Sequence, residues 1–441
     1  MPRFSGLLRF LGRFLAVMAL FPMLGNAGTI ELRPDSDWFA VLNGSGLKPG
    51  DQVILRGGTY SNRRMLVLNH RGSKDQPVVI RAARGERVIF RRPDARQNSF
   101  NLVGTQFLEL RDFEITGGSA GIRIRADGDV QPKAVTLEGL HIHHIGGAAV
   151  TCNNAGSYYE SMRFRRNHIH HTGGHAEGFY LGCNNDESGG TPGYIFDSII
   201  EHNHIHDLKG KHVSQGDGIE IKDGSYGNII RDNVIHDTNY PGIIVYGTDG
   251  KDPNIIERNI IWNTGDHGIQ AAADAVIRNN IVGNTGGDGL HVRDHQSATP
   301  GTLVIVHNTF TQSKPGKTGI RIQRPSGGFS ERLTVANNAI YAELALRVPG
   351  DRKLAIAGNV GAGESEDKTL PLDSWNPGGD LAADLDRNRF PTAASFLIGK
   401  ADSQHVTEDD FLARPRGESL DVGAYWRTEA NSWRIAPGFK R

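Results

Sequence analysis

The 441-residue sequence has no excess charge of either sign, few aromatic residues and no segment beyond its N-terminus apolar enough to cross a membrane. A formal net charge of +0 argues against a nucleic-acid-binding protein, because such proteins normally carry a basic excess. Aromatic residues make up only 7% of the chain, whereas glycine occurs 56 times. This composition indicates many tight turns around a thin, aliphatic core.

The first 27 residues are typical of a secretory signal peptide. Three arginines accompany a short apolar run over residues 15–24, and Gly25-Asn26-Ala27 is typical of a small-residue cleavage site. The apolar run is shorter than the roughly 20 residues that a membrane-spanning helix needs. We therefore expect cleavage near Ala27 and a mature chain that is secreted or periplasmic and is not held in a membrane. We also expect this mature chain to be a monomer.

An Asn-x-Ile-like unit recurs through the middle of the chain at intervals of 21 to 36 residues. Its asparagines are Asn167, Asn203, Asn233, Asn259, Asn280, Asn308 and Asn338. After each unit comes a turn and a second strand that opens with glycine, as in Gly218-Ile-Glu-Ile and Gly242-Ile-Ile-Val. Short strands in units of variable length, with no helix between them, predict an all-β fold. The architecture is a single-stranded right-handed parallel β-helix, a solenoid in which the asparagines stack into a structural ladder.

Both ends of the chain fit this solenoid. Residues 35–42 are expected to form a short N-terminal helix that caps the first coil, because an open sheet edge needs cover. The β-helix is predicted to span residues 28–360 as one domain. From residue 361 the repeat fades, and residues 361–441 are predicted to form a C-terminal tail that packs on the helix or caps its end.

Stacking of the coils turns equivalent positions of the second strand into columns. The residues one and three positions after the opening glycine are apolar and face inward, so those two and four positions after it face outward. These columns and the position before the glycine contain Glu177, Tyr180, Asp217, Glu220, Lys222, Tyr246, His267, Gln270, His291, Arg293 and Arg321. A solvated strand face explains any single member, whereas acids, bases and tyrosines together indicate an active site.

The sequence resembles the pectate-lyase-like β-helix superfamily, and within it most closely the chondroitinase B and alginate lyase group. The resemblance rests on residues 49–60 (PGDQVILRGGTY), on the Asn-x-Ile repeats and on residues 421–425 (DVGAY), and it covers residues 28 to 425. It implies the β-helix fold and an enzyme that cleaves an acidic polysaccharide. Because the superfamily also contains epimerases, hydrolases and binding proteins, the fold alone does not fix the activity.

The same resemblance assigns roles to the segment Gly216-Asp-Gly-Ile-Glu-Ile-Lys-Asp223. In lyases of this group, carboxylates just before a lysine hold Ca²⁺, and the lysine abstracts the proton of the uronic acid. Asp217 matches the second of these acids, whereas Gln215 stands in the place of the first. The arginine that the family has on the next coil is replaced by Tyr246, and Arg293 lies further along.

These matches and the chemistry of β-elimination give a set of expected roles. We expect Ca²⁺ to be held by Glu177, Asp217 and Glu220, with Lys222 as base, Tyr246 as acid and Arg293 as clamp for the substrate carboxylate. A metal-free scheme would use His267 or His291 with Tyr246. Residues expected to bind the polysaccharide are Tyr180, Gln270 and Arg321.

Three other functions remain open at this stage. A glycoside hydrolase needs two acids at a defined separation, which Asp217, Glu220 and Asp288 could supply. A uronate C5-epimerase shares the proton abstraction at C5, but the Asp-Pro-His signature usual for that class is missing. A carbohydrate-binding β-helix without catalysis would need none of the charged columns.

Two further features are a group of histidines and a pair of cysteines. Histidine follows the Ile of four Asn-x-Ile-like units, at His143, His170, His206 and His236, and five more histidines lie close by in the sequence. A metal site is open here, although stacked surface imidazoles are the simpler explanation. Counted from Gly147 and Gly178, Cys152 and Cys183 occupy the same position in consecutive coils, which predicts a disulfide.

Overall fold

The computed structural model of the protein describes residues 27–183, 191–272, 274–296, 298–326, 328, 333–350, 354–366 and 374–428. The predicted signal peptide lies outside these residues, apart from Ala27. None of the helices in these ranges is long and apolar enough to cross a membrane.

The first half of the described chain consists of short strands and one short helix. In chain order these are β1 (Thr29–Leu32), α1 (Trp38–Leu42), β2 (Gln52–Leu55), β3 (Gly58–Ser61), β4 (Val67–Leu68), β5 (Val78–Ala82), β6 (Val88–Arg92), β7 (Phe100–Val103), β8 (Leu108–Arg111), β9 (Glu114–Gly117), β10 (Ile122–Arg125), β11 (Thr136–Glu138), β12 (His141–Ile145), β13 (Val150–Cys152), β14 (Tyr158–Glu160), β15 (Arg163–Arg165), β16 (His168–Thr172), β17 (Phe179–Leu181), β18 (Tyr194–Phe196), β19 (Ile199–Glu201), β20 (His204–Leu208) and β21 (Ile219–Ile221).

The second half continues the same pattern and ends in a tail with little regular structure. Its elements are β22 (Ile229–Arg231), β23 (Val234–Thr238), β24 (Ile243–Val245), β25 (Asn254–Glu257), β26 (Ile260–Trp262), β27 (Ile269–Ala271), β28 (Ala275–Arg278), β29 (Ile281–Gly283), β30 (Leu290–Val292), β31 (Leu303–Val306), β32 (Thr309–Thr311), β33 (Thr318–Ile322), β34 (Leu333–Ala336), β35 (Ala339–Arg347), β36 (Leu354–Ala357), β37 (Asn359–Ser365), β38 (Trp375–Asn376), α2 (Leu381–Asp384) and a 3₁₀ turn (Ser403–His405).

Most coils of the solenoid contribute one strand to each of three parallel stacks. Sheet 1 has 13 strands, in the order β1, β2, β5, β8, β11, β15, β19, β22, β25, β28, β31, β34, β36. Sheet 2 carries the Asn-x-Ile strands and runs through β3, β6, β9, β12, β16, β20, β23, β26, β29, β32, β35, β37 and β38. Sheet 3 consists of β4, β7, β10, β13, β17, β21, β24, β27, β30 and β33, most of which begin directly after a glycine. The predicted parallel β-helix is confirmed.

The core is a set of aliphatic columns inside the coils. In sheet 2 the isoleucines of successive Asn-x-Ile units lie opposite one another in register, and each is fully buried. This column contains Ile142, Ile169, Ile205, Ile235 and Ile261. Burial of each such side chain contributes about 1.5–3 kcal/mol, and the pleat that turns it inward turns its neighbours outward.

The repeated asparagines form the predicted ladder at the turn into sheet 2. Asn233 donates hydrogen bonds from its backbone and side-chain nitrogens to Oδ1 of Asn259, at 3.0 and 2.9 Å. Asn259 repeats the pattern toward Asn280, at 2.9 and 3.0 Å. Each amide thereby satisfies buried polar groups of the coil beside it.

The ends of the β-helix differ from the predicted boundaries. Helix α1 is shorter than expected and begins after Asp37, whose carboxylate accepts a hydrogen bond from the Ala40 amide. The stacked strands continue to Asn376, beyond the predicted end at residue 360. The tail after them packs on sheet 2, where Phe411 and Tyr425 join a cluster with Val234, Ile260 and Ile281.

Candidate active site

The register of sheet 3 fixes which side chains share a column. Tyr180 lies opposite Glu220, and the same column continues through Ile244, Gln270, His291 and Arg321. Glycine opens these strands because the coils approach closely there. A Cβ at Gly218 would collide with the carbonyl oxygen of Gly242.

One coil is misaligned when counted from its glycine. Val150 lies opposite both Ile122 and Phe179, so Ala149 and not Gly147 matches Gly178. The outward column therefore contains Thr151 at this coil. The position that opens the strand needs only a small side chain, and here it is taken by Ala149, which is fully buried.

The same register corrects the predicted disulfide. Cys152 lies opposite Leu181, and Cys183 follows two residues later. One interstrand step of about 4.8 Å and two residues of about 3.3 Å place their Cα atoms roughly 8 Å apart, beyond the range that a disulfide bridges. The two sulfurs are accordingly not bonded to each other in the structure.

Three carboxylates from adjacent coils meet at the start of β17 and β21. One oxygen each of Glu177, Asp217 and Glu220 lies within 4.8 Å of the others, and the three residues are 0%, 3% and 3% exposed. Burial, and with it the charge of Glu220, raises the pKa of Glu177 to about 7. Burial and the charges of Glu220 and Glu177 also raise the pKa of Asp217 well above its ordinary value.

A buried lysine and a buried tyrosine adjoin this acidic cluster. Lys222 Nζ lies 2.5 Å from Glu220 Oε1 and donates a hydrogen bond of 3.2 Å to the Tyr246 hydroxyl. The same hydroxyl donates to Glu220 Oε1 at 3.1 Å. Lys222 Nζ is also 5.0 Å from the ring centroid of Tyr180. Burial, reinforced by the charges of Glu220 and Asp217, raises the pKa of Tyr246, so its phenol keeps its proton.

These groups open into a cleft of about 250 Å³ on sheet 3. Lining residues that the sequence predicted are Tyr180, Asp217, Glu220, Lys222, Tyr246, Gln270 and Arg293. Arg293 follows Tyr246 in its column after Ala272, which is fully buried in a small apolar cluster with Tyr246. The cleft thus places acids, an amine, a phenol and a guanidinium around one volume.

His267, His291 and Arg321 form a second polar group further along the solenoid, with Asp288 at its centre. Asp288 Oδ2 lies 2.9 Å from His291 Nδ1 and 3.9 Å from an Arg321 nitrogen. His267 Nδ1 accepts a hydrogen bond of 2.8 Å from the Asp288 amide. Burial alone would raise the pKa of Asp288, but contacts with His291 and the Thr318 amide hold it below its usual value. None of the four residues lines the cleft around Lys222.

The histidine beside Tyr246 is His295, which the columns did not single out. Their ring centroids are 5.1 Å apart. His295 lies beyond β30, in a segment that folds back over the cleft, so no strand periodicity marks it. Burial, with the charges of Arg293 and Lys222, lowers the pKa of His295 to about 4. The metal-free pairing of Tyr246 with His267 or His291 is therefore not the one that the structure brings together.

The acidic cluster fits a hard divalent cation. Among the described residues, no group donates a hydrogen bond to either carboxylate oxygen of Glu177 or to Oε2 of Glu220. Fully ionised, the three carboxylates beside one ammonium would carry a charge of about −2, which a divalent ion would balance. Carboxylate oxygens are also the ligands that such an ion prefers.

Comparisons with known proteins agree with this architecture. The model of the family "Right handed beta helix region" matches residues 157–340, and that of the "Pel9A-like, right handed beta helix region" matches residues 27–207. No curated protein matches the sequence.

Several solved structures share the fold at low sequence identity. An alginate lyase from Paenibacillus sp. str. FPU-7 is 20% identical, with a TM-score of 0.52 over 67% of this chain and 98% of that one. XylC, solved in complex with xylose, is 11% identical with a TM-score of 0.57, over 90% and 98% of the two chains. The alginate lyase AlyGC of family PL6 is 15% identical with a TM-score of 0.53, over 92% of this chain and 60% of that one.

The two matched models together cover residues 27–340, over which the parallel strands stack. The protein belongs to the pectate-lyase-like right-handed parallel β-helix superfamily.

Proposed function

We propose that the protein is a polysaccharide lyase that cleaves a uronic-acid-containing polysaccharide by β-elimination in the cleft around Lys222. The observation that supports this proposal is the convergence of Lys222, Tyr246 and Arg293 with Asp217 and Glu220 in one cleft, with Glu177 buried behind these two acids. The reaction removes the C5 proton of a uronate, neutralises its carboxylate and protonates the leaving oxygen. These residues offer a group for each of the three tasks.

Lys222 is the proposed base. Its amine reaches the cleft from a strand whose backbone is fixed by sheet 3, so it is held in position without a loop movement. It must lose a proton before it can accept one from C5.

Tyr246 is the proposed acid. Its hydroxyl is 3.2 Å from the Lys222 amine, so the base and the acid face the same side of a bound sugar. The raised pKa of Tyr246 keeps the phenol protonated at neutral pH. The proton can therefore pass to the glycosidic oxygen as its bond to C4 breaks.

Arg293 and the acidic cluster are the proposed partners of the substrate carboxylate. A planar guanidinium can bind a carboxylate through two hydrogen bonds. Glu177, Asp217 and Glu220 would hold Ca²⁺, and a bound Ca²⁺ would neutralise the uronate and make its C5 proton more acidic. Gln215 lines the cleft where related lyases have an acid, and its amide oxygen is a further candidate ligand.

Three residues along the same outward column are proposed to bind sugar units. Tyr180 and Gln270 line the cleft on either side of the central coils. Arg321 lies further along, with its side chain 30% exposed. The spacing of these groups along the solenoid suits an extended anionic chain. The mature protein would meet such a polymer as a secreted or periplasmic monomer.

The decisive experiment is an absorbance screen at 235 nm, where the unsaturated product absorbs. The purified mature protein is mixed with alginate, pectate, chondroitin, dermatan and heparin-type polymers, with Ca²⁺ or with chelator. A rise on one polymer that Lys222→Ala abolishes would support the proposal. New reducing ends without absorbance would overturn it in favour of hydrolysis. Altered uronate composition without cleavage would point to epimerisation, and binding without reaction to a carbohydrate-binding protein.

A further inference from the structure

Sheet 2 carries two adjacent columns of imidazoles on its outer face, away from the cleft on sheet 3. His141, His168 and His204 lie opposite one another in register, and so do His143, His170, His206 and His236. The isoleucine between the two columns points inward at each coil, so both columns point outward. Strands β12, β16, β20 and β23 therefore present seven histidines on one surface.

The ring nitrogens of these columns face one another across the coils. Nε2 of His141 lies 2.7 Å from Nε2 of His170, and Nε2 of His168 lies 2.7 Å from Nε2 of His206. At one end, His143 Nε2 is 3.0 Å from a carboxylate oxygen of Glu114. In a neutral pair one nitrogen donates and the other accepts, so a bound metal ion would take the place of the shared proton.

Three groups of possible ligands occur on this surface, and one of them, His141, His168 and His170, shares a residue with each of the others. The two other sets share no residue and could be occupied together. Glu114, His141 and His143 form one set, and His168, His204 and His206 form the other. Within each set the three atoms lie within 4.8 Å of one another. Tetrahedral Zn²⁺ with bonds of about 2.0–2.1 Å needs ligand atoms about 3.4 Å apart, so small side-chain rotations suffice.

An arginine orients the carboxylate of the first set. Two Arg87 nitrogens, at 3.0 and 2.8 Å, hold Glu114 Oε2, which leaves Oε1 toward the histidines. Neutral imidazole is the form of histidine that binds such a metal ion.

We propose that this surface binds two first-row transition-metal ions of the Zn²⁺ type, one in each set. Imidazole nitrogens select such ions, whereas the all-carboxylate cluster on sheet 3 suits Ca²⁺. Each ion joins side chains from adjacent coils. Metal binding therefore stabilises the stack of coils and does not depend on the reaction in the cleft.

The test is a titration of tag-free, metal-stripped mature protein with ZnCl₂, followed by calorimetry, in an excess of Ca²⁺ that occupies the acidic cluster. Two Zn²⁺ ions per chain are expected, together with a rise in the unfolding temperature. The double variant His141→Asn, His168→Asn removes one ligand from each set and should bind none. Single replacement His206→Asn should leave one ion.

A matched control removes two imidazoles outside the sets. His144 and His171 are exposed and have positive φ angles of 52° and 53°, which asparagine adopts readily. The variant His144→Asn, His171→Asn should still bind two ions.

With Cu²⁺ as probe, the electron paramagnetic resonance spectrum should show coupling to ligand nitrogen. Fewer than two ions on the native chain, or unchanged binding by the His141/His168 variant, would overturn the proposal.

Discussion

Glu220 lies in β21 and Lys222 follows that strand directly, with the amine 2.5 Å from Glu220 Oε1. Both are almost completely buried, so the ion pair is shielded from water and competing salt. Glu177 and Asp217 lie at the other side of Glu220, and Tyr246 bonds to the same oxygen. The pair therefore links the acidic cluster to the groups proposed to move protons.

Replacement of the lysine tests this link. Lys222→Ala is expected to lower kcat by roughly 10²–10⁴-fold, the usual contribution of general acid–base catalysis. Lys222→Arg should be equally inactive, because a guanidinium does not give up its proton. Initial rates at 235 nm on the polymer found in the screen measure both. Lys314→Ala, on an exposed turn, is the control and should keep the native rate. Full turnover by Lys222→Ala would remove the base assignment.

The pKa of Glu177 gives a prediction for stability against pH. A carboxyl whose pKa is raised in the folded state stabilises the fold below its unfolded pKa of about 4.5 and loses that contribution as pH rises through about 7. Metal-free protein should therefore lose stability between pH 5 and pH 8, by roughly 3 kcal/mol from this group. Urea unfolding in chelator measures the loss.

Two comparisons attribute that loss to the acidic cluster. Glu177→Gln should flatten the pH dependence, whereas Glu408→Gln on the exposed tail should leave it unchanged. Ca²⁺ should restore stability to the native chain at pH 8, because the ion compensates the ionised acids. A native chain equally stable at both pH values would contradict the prediction.

Arg293 provides a test of the carboxylate clamp. Arg293→Ala is expected to lower kcat/KM by about 10²-fold, since a charged hydrogen-bonding partner of the substrate is lost. Arg125 occupies an equivalent outward position on an earlier coil and is exposed. Arg125→Ala should change kcat/KM by only a few-fold. Equal effects of the two substitutions would mean that Arg293 acts only through general charge.

The fold was predictable because each coil repeats one physical requirement. Inward side chains must be apolar and alternate with outward ones, and buried amides at the turn need partners, which Asn259 and its neighbours supply. The register was harder to predict. A glycine marks the start of most strands of sheet 3, but the coil of β13 uses Ala149, so counting from Gly147 shifts two cysteine-containing coils relative to each other.

The site was predictable only where strands carry it. Glu177, Asp217, Glu220, Lys222 and Tyr246 come together because parallel pairing stacks their positions. His295 lies in a segment between strands, where sequence periodicity does not indicate the direction in which a side chain points. The sequence suggested Asp288 only as a hydrolase acid, because its contacts with His291 and Arg321 depend on side-chain geometry that strand alternation does not give.

The ladder predicts a large cost for one buried amide. Asn259→Ala removes the side chain that accepts from Asn233 and donates to Ile230 and Asn280. The buried hydrogen-bonding groups that this substitution leaves unsatisfied should lower the free energy of unfolding by about 2–4 kcal/mol. Urea denaturation measures the change. Asn376→Ala, at an exposed position whose Oδ1 accepts one bond from the Gly378 amide, should cost less than about 1 kcal/mol. Similar losses for both would contradict the ladder's role.

The cysteines give a prediction that depends on the register alone. Because Cys152 lies opposite Leu181, the native fold does not bring its sulfur to Cys183. Protein unfolded in denaturant without reductant should therefore react with two equivalents of thiol reagent. The native protein should react slowly, since Cys152 is fully buried and burial raises the pKa of its thiol. Cys152→Ser should remove one equivalent and Cys183→Ser the other. A chain that yields no thiol until it is reduced would show that Cys152 and Cys183 had bonded, and the register of β13 against β17 would then be wrong.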